Sequence, residues 1–138
     1  MPLSRQQPEE FDFLVDRSLG SHVVPGRLRD AGFQIFTLAD IYGEQAAQAA
    51  RDAEWLRLAG ERDLVVLTSD KAIRRRADER ATVEHFGVRV FCVAGAPMTA
   101  EETAERIVAN RHRIVQRSRQ PGPWICHVYA TTIKQMWP

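Results

Sequence analysis

Three aspartates stand where a cation site needs them. Asp16 ends the apolar run Phe11-Asp12-Phe13-Leu14-Val15, and Asp70 follows Leu64-Val65-Val66-Leu67-Thr68-Ser69. Consecutive apolar residues with a β-branched centre read as a strand buried on both faces, as in a parallel sheet. Ligands of open α/β sheets bind beyond the carboxyl ends of the strands, so acids on two such ends point to a metal site. Asp52, just ahead of Trp55 and Leu56, joins them in a core of Asp16, Asp52 and Asp70, with Glu44 as a candidate fourth ligand. An all-carboxylate donor set suits Mg2+ or Mn2+. Crowded carboxylates repel one another and raise the pKa of at least one. A divalent ion offsets that repulsion and can neutralise charge on a phosphoryl group in transfer.

Each acid also has a plainer reading. Asp16 could cap a turn through Ser18-Leu19-Gly20, Asp70 a helix beginning at Lys71, and Asp52 the segment from Ala53. Glu44, opening a helix, favours the macrodipole whatever else it does, and Glu54 is the substitute if either Glu44 or Asp52 fails. Asp12, inside the first strand, reads as structural.

The elements that must position these groups alternate between strand and helix. Strands are expected over 11–15, 33–38, 64–67 and 88–93, with a closing pair over 124–130 and 133–137. A helix over 21–31 would be capped by Ser21, hold Pro25 in its first turn and stop at Gly32. Another covers 44–60, and a basic helical stretch runs from Lys71 to about Glu84. Thr99 and Glu102 form a capping-box pattern opening a long helix to about Ser118, which Pro121-Gly122-Pro123 breaks. Residues 1–10 read as a mobile lead-in, and the whole chain, 1–138, as one domain. The pattern predicts α/β architecture: three layers, α/β/α, around a mainly parallel sheet closed by a C-terminal strand pair.

The stretch Asp52-x-x-Trp55-Leu56-x-Leu58-Ala59, followed by Leu64-Val65-Val66-Leu67-Thr68-Ser69-Asp70-Lys71, resembles the signature of PIN-domain ribonucleases. Phe13-Leu14-Val15-Asp16-Arg17-Ser18-Leu19-Gly20 likewise resembles that family's first strand and first acidic residue. The compact PIN-like relatives of VapC-type toxins look most similar, over about residues 11–95. The resemblance implies a Mg2+- or Mn2+-dependent endoribonuclease, often the toxin of a pair whose antitoxin is its protein partner. It assigns Asp16, Asp52 and Asp70 as catalytic and metal-binding, with Glu44 the least secure carry-over because only a short segment separates it from Asp16. A further downstream acid found in some members has no clear match. A catalytically silent PIN-like module that binds RNA or a partner is the alternative from another class.

The charge distribution suits a polyanionic substrate such as RNA. Residues 1–70 carry 7 Lys and Arg against 12 Asp and Glu, whereas residues 71–138 carry 12 against 6. Lys71, Arg74 and Arg76 follow Asp70 as candidate phosphate contacts, Lys71 first among them; Arg75 and Arg80 read as solvated surface. Trp124, Tyr129 and Trp137 read as core or interface, with the apolar C-terminal pair a candidate homodimer contact. Other classes fit less well. A phosphoacceptor receiver domain wants paired acids at the first strand, but Arg17 follows Asp16, and no glycine-rich loop follows any strand. Cys92 and Cys126 lack zinc or disulfide spacing and read as buried thiols. No apolar run approaches a membrane span and no signal-peptide pattern opens the chain, so the expected location is the cytoplasm, with no membrane association.

Overall fold

The computed structural model describes residues 11–138; the lead-in expected over 1–10 lies outside them. Six strands form one sheet in the order β2-β1-β3-β4-β5-β6. They are β1 (Asp12–Val15), β2 (Gln34–Thr37), β3 (Val65–Thr68), β4 (Arg89–Val93), β5 (Trp124–Val128) and β6 (Ile133–Trp137). The first five run parallel and β6 pairs antiparallel to β5, as the expected closing pair requires. From β1 the chain goes outward to β2, then returns to lay β3 on β1's other side. The crevice between the ends of β1 and β3 is therefore the topological switch point of the sheet.

Among the described residues, seven helices cover the two faces and complete three layers. On one face α1 (Val23–Asp30), α6 (Ala100–Ala109) and α7 (Arg111–Ser118) pack Leu28, Ile107 and Ile114 against Phe13, Leu67 and Phe91. On the other lie α2 (Leu38–Tyr42), α3 (Glu44–Ala49), α4 (Asp52–Glu61) and α5 (Ala77–Phe86). There Trp55, Leu56 and Val83 pack against Leu14, Val66 and Val90. Every residue of β3, β4 and β5 is buried, the signature of parallel strands sandwiched between helices. Trp124 belongs to this core, edge-on to Phe91. Both thiols are buried and free, and burial pushes Cys92 up to about 12 and Cys126 to about 11. No helix among the described residues is long and apolar enough to cross a membrane.

Three helix expectations and one strand end need correction, besides the helix expected from Lys71. His22 rather than Ser21 precedes α1, with no side-chain cap. The strand over 33–38 ends at Thr37, whose hydroxyl forms a capping box with Asp40 and starts α2 at once. The helix over 44–60 is two helices, because Ala50 and Arg51 are extended. Arg17 explains that break: its guanidinium donates to Ala47 O at 2.8 Å and Ala50 O at 2.6 Å, taking the place of helical amides. The long helix after the Thr99–Glu102 capping box is also two, parted at Asn110. That fully buried amide donates to Arg106 O and Tyr129 O, each at 2.9 Å, and holds the loop after β5.

α4 and α5 run side by side, and their C-terminal ends touch. A Cβ on Gly60 would lie 2.6 Å from Phe86 O and 2.7 Å from Phe86 Cβ. A glycine inside a helix is unfavourable by about 1 kcal/mol against alanine, so the close contact explains its presence. Gly60→Ala is expected to lower stability by about 1–3 kcal/mol through overpacking, despite better helix propensity. Urea unfolding of both proteins measures it, and an unchanged or higher midpoint would contradict the close packing.

Candidate active site

Register places the acids. Val15 pairs with Leu67, so the next residues, Asp16 just past β1 and Thr68 at the end of β3, lie side by side. Asp16 is buried and opens a single 3-10 turn, Arg17–Leu19, by accepting from Ser18 N. The capping role is real, and it holds the carboxylate in place. Ser18 Oγ also donates to Asp16 Oδ1 in a short bond, and Thr68 Oγ1 donates to Oδ2 at 2.8 Å. Thr68 Oγ1 in turn accepts Asp70 N at 3.0 Å, while Ser18 Oγ accepts Ser69 N at 2.9 Å. Two strand ends are thus stitched through two hydroxyls.

Asp70 is not a helix cap. The helix expected from Lys71 begins only at Ala77, and Asp70 Oδ1 accepts Ala72 N at 3.0 Å within a turn. Asp52 is the first residue of α4 rather than its cap, which is Arg51. Its Oδ1 accepts Trp55 Nε1 at 3.0 Å, so an indole from the core fixes its rotamer.

The structure adds Glu79, which the sequence reading passed over, and sets Arg76, a candidate phosphate contact, among the acids. Carboxylate oxygens of Asp52, Asp70 and Glu79 all lie within 4.8 Å of one another. Arg76 Nη1 reaches Asp70 Oδ2 at 2.7 Å, Glu79 Oε1 at 3.0 Å and Asp52 Oδ2 at 3.6 Å. Arg17 Nη2 lies 3.6 Å from Asp52 Oδ1 on the other flank. Arg76-x-x-Glu79, with acids in a helix's first turn, was the available signal, hidden by a basic run that reads as one helix from Lys71.

Other expected members stand apart. Glu44 is exposed in the first turn of α3 and shares with Asp16 a neighbouring groove of about 520 Å3. Glu54 is exposed on α4 and borders the open groove of about 840 Å3 that contains Asp52, Arg76 and Glu79. Lys71 Nζ donates to Gly95 O at 2.9 Å, beside a groove of about 530 Å3 that Ser18 and Ser69 also line. Arg74 is half-buried; together with Lys71 it bears on buried His127, whose pKa falls through burial first and these cations second.

Burial pushes the Asp16 carboxyl up to about 6, against the lowering effect of the Ser18 and Thr68 hydrogen bonds. Glu79 rises to about 7, first through burial and then through a carboxyl–carboxyl hydrogen bond with Asp52; Arg76 opposes both. Burial, more than repulsion between the acids, is thus what raises both groups.

Fold and site together define a doubly wound parallel α/β protein with a carboxylate cluster at its switch point. A family model described as "PIN like domain" matches residues 11–95. A Mycobacterium tuberculosis protein named "Putative ribonuclease VapC45" is 43% identical over 119 residues, covering 86% of each chain. No solved structure gives a significant match. The chain belongs to the PIN-like domain family.

The raised pKa values carry a sign for stability. Folded Asp16 and Glu79 bind protons more tightly than in the unfolded chain, where their values are 3.8 and 4.5. Their contribution is complete below about pH 4 and is lost as pH rises through about 6 and 7. In chelator-treated protein, Asp16→Asn is therefore expected to gain stability relative to the parent as pH rises from 4.5 to 7.5. Urea midpoints at the two pH values test this, and a parallel pair of profiles would rule it out.

Proposed function

We propose that this chain is a divalent-cation-dependent endoribonuclease, with Asp16, Asp52 and Asp70 as its catalytic and metal-binding acids. The observation that carries the reading is the convergence of three carboxylates within 4.8 Å at the switch point of the sheet, beside buried Asp16. The name of the mycobacterial relative supports the ribonuclease assignment. Glu79 takes the fourth place in preference to Glu44, because its oxygen lies within the cluster. Asp52, Asp70 and Glu79 fit Mg2+ or Mn2+: their hard carboxylate oxygens are mutually close enough to share one ion, with Asp16 outside that trio.

When bound, such an ion supplies Lewis-acid neutralisation of phosphoryl charge and acidifies water. The protein's own residues do the positioning. Trp55 Nε1 and the Ala72 amide aim Asp52 and Asp70, and the Ser18 and Thr68 hydroxyls hold Asp16 behind them. Lys71 and Arg74 supply positive charge for phosphates flanking the scissile one. An antitoxin protein is the partner this reading brings with it, and a homodimer through the C-terminal strand pair is compatible with half-buried Trp137 on edge strand β6.

Purified protein incubated with a mixed RNA pool is expected to cut in Mn2+ or Mg2+ and to stop in EDTA. Asp70→Asn should lose at least about 100-fold in rate, the scale of removing one preorganised electrostatic group. Folded protein that leaves RNA intact with either ion would favour the silent binding module instead.

A further inference from the structure

Arg76 has an unusual place in the cluster. A single nitrogen, Nη1, lies within 3.6 Å of an oxygen on each of Asp52, Asp70 and Glu79. Those three residues are also the ones whose oxygens stand close enough together to hold one ion. A guanidinium nitrogen that reaches all three acids and an ion coordinated by all three require the same point in space. Like charges would repel strongly even if both could be fitted in.

We infer that Arg76 is a built-in counter-ion, which a divalent cation must displace and which then serves as a contact to substrate phosphate. The inference rests on the metal-dependent reading given above. Three features of the chain make the exchange feasible. Arg76 can leave: its side chain is 48% exposed, against 8% for Glu79 and 23% for Asp70. The acids stay behind, because Asp52 is held by Trp55 Nε1 and Asp70 by Ala72 N, bonds that do not involve Arg76. The backbone at Arg76 is the N-cap of α5, so the displaced side chain remains tethered to the rim of the open groove. A planar guanidinium at that rim matches phosphate oxygens in a two-pronged contact that lysine cannot reproduce. The same side chain therefore has two roles: it stabilises the metal-free cluster and binds substrate in the loaded one.

The test is Mn2+ titration of the chelator-stripped full chain by calorimetry, comparing the parent with Arg76→Gln, Arg76→Lys and Asp70→Asn, each first checked for a native near-UV spectrum. Arg76→Gln is expected to bind Mn2+ about tenfold more tightly than the parent, and Arg76→Lys to show a smaller gain. At saturating Mn2+, Arg76→Gln should nonetheless cut RNA more slowly, because the phosphate contact is gone. Equal or weaker Mn2+ affinity in Arg76→Gln, with the parent binding and Asp70→Asn not, would overturn the counter-ion while leaving the metal site standing. Tighter Mn2+ with undiminished cutting would overturn the phosphate contact. No uptake by any of the four proteins would remove the metal reading and this inference together.

Discussion

The hydroxyl of Thr68, with that of Ser18 beside it, joins the two strand ends that carry acids. Thr68 is fully buried, donates to Asp16 and accepts the Asp70 amide. Hydrogen bonds to charged groups contribute about 1.5–3 kcal/mol each, and an unmet carboxylate oxygen in that dry setting costs at least as much. A valine would have nearly the same shape in β3 but would leave Asp16 Oδ2 without its donor. Around this link the remaining repulsion is answered locally. Arg17 flanks Asp52 on one side and Arg76 binds three acids on the other. Asp52 and Glu79 sit in the first turns of α4 and α5, where the positive ends of two helix dipoles favour them.

Much of this was legible in the sequence because the relevant signals are local. Buried strands announce themselves by short apolar runs: Asp16 directly follows Phe13-Leu14-Val15, and Asp70 follows Leu64-Val65-Val66-Leu67 after Thr68 and Ser69. The capping box at Thr99 and Glu102 is a pattern within four residues and forms as expected. What stayed hidden depends on partners far along the chain. Nothing in the alanine-rich segment 44–51 marks a helix break, because the cause is Arg17, 30 and 33 residues from the carbonyls it binds. The division at Asn110 depends on carbonyls after β5 in the same way. Glu79, and the contact of Arg76 with the acids, were missed because the basic run from Lys71 has helical composition, while Asp70 draws its first residues into a turn.

The charge asymmetry along the chain also has a spatial counterpart. Its boundary, between residues 70 and 71, falls inside the site. Acids from the first half meet Arg76 from the second, and Lys71 and Arg74 leave the same turn toward the ends of β4 and β5. Acidic and basic surfaces are therefore adjacent, which is the arrangement a cation-assisted reaction on a polyanion requires.

The contact between Gly60 and Phe86 acts on the far side of the same helix pair. It closes the C-terminal ends of α4 and α5, whereas Asp52 and Glu79 stand at the opposite ends. Eight residues of helix separate Gly60 from Asp52, a lever arm of about 12 Å. A Cβ at that contact would press the two helices apart at one end, while the acids stand at the other. Gly60 therefore bears on the packing of the helices that carry Asp52 and Glu79 while touching neither acid.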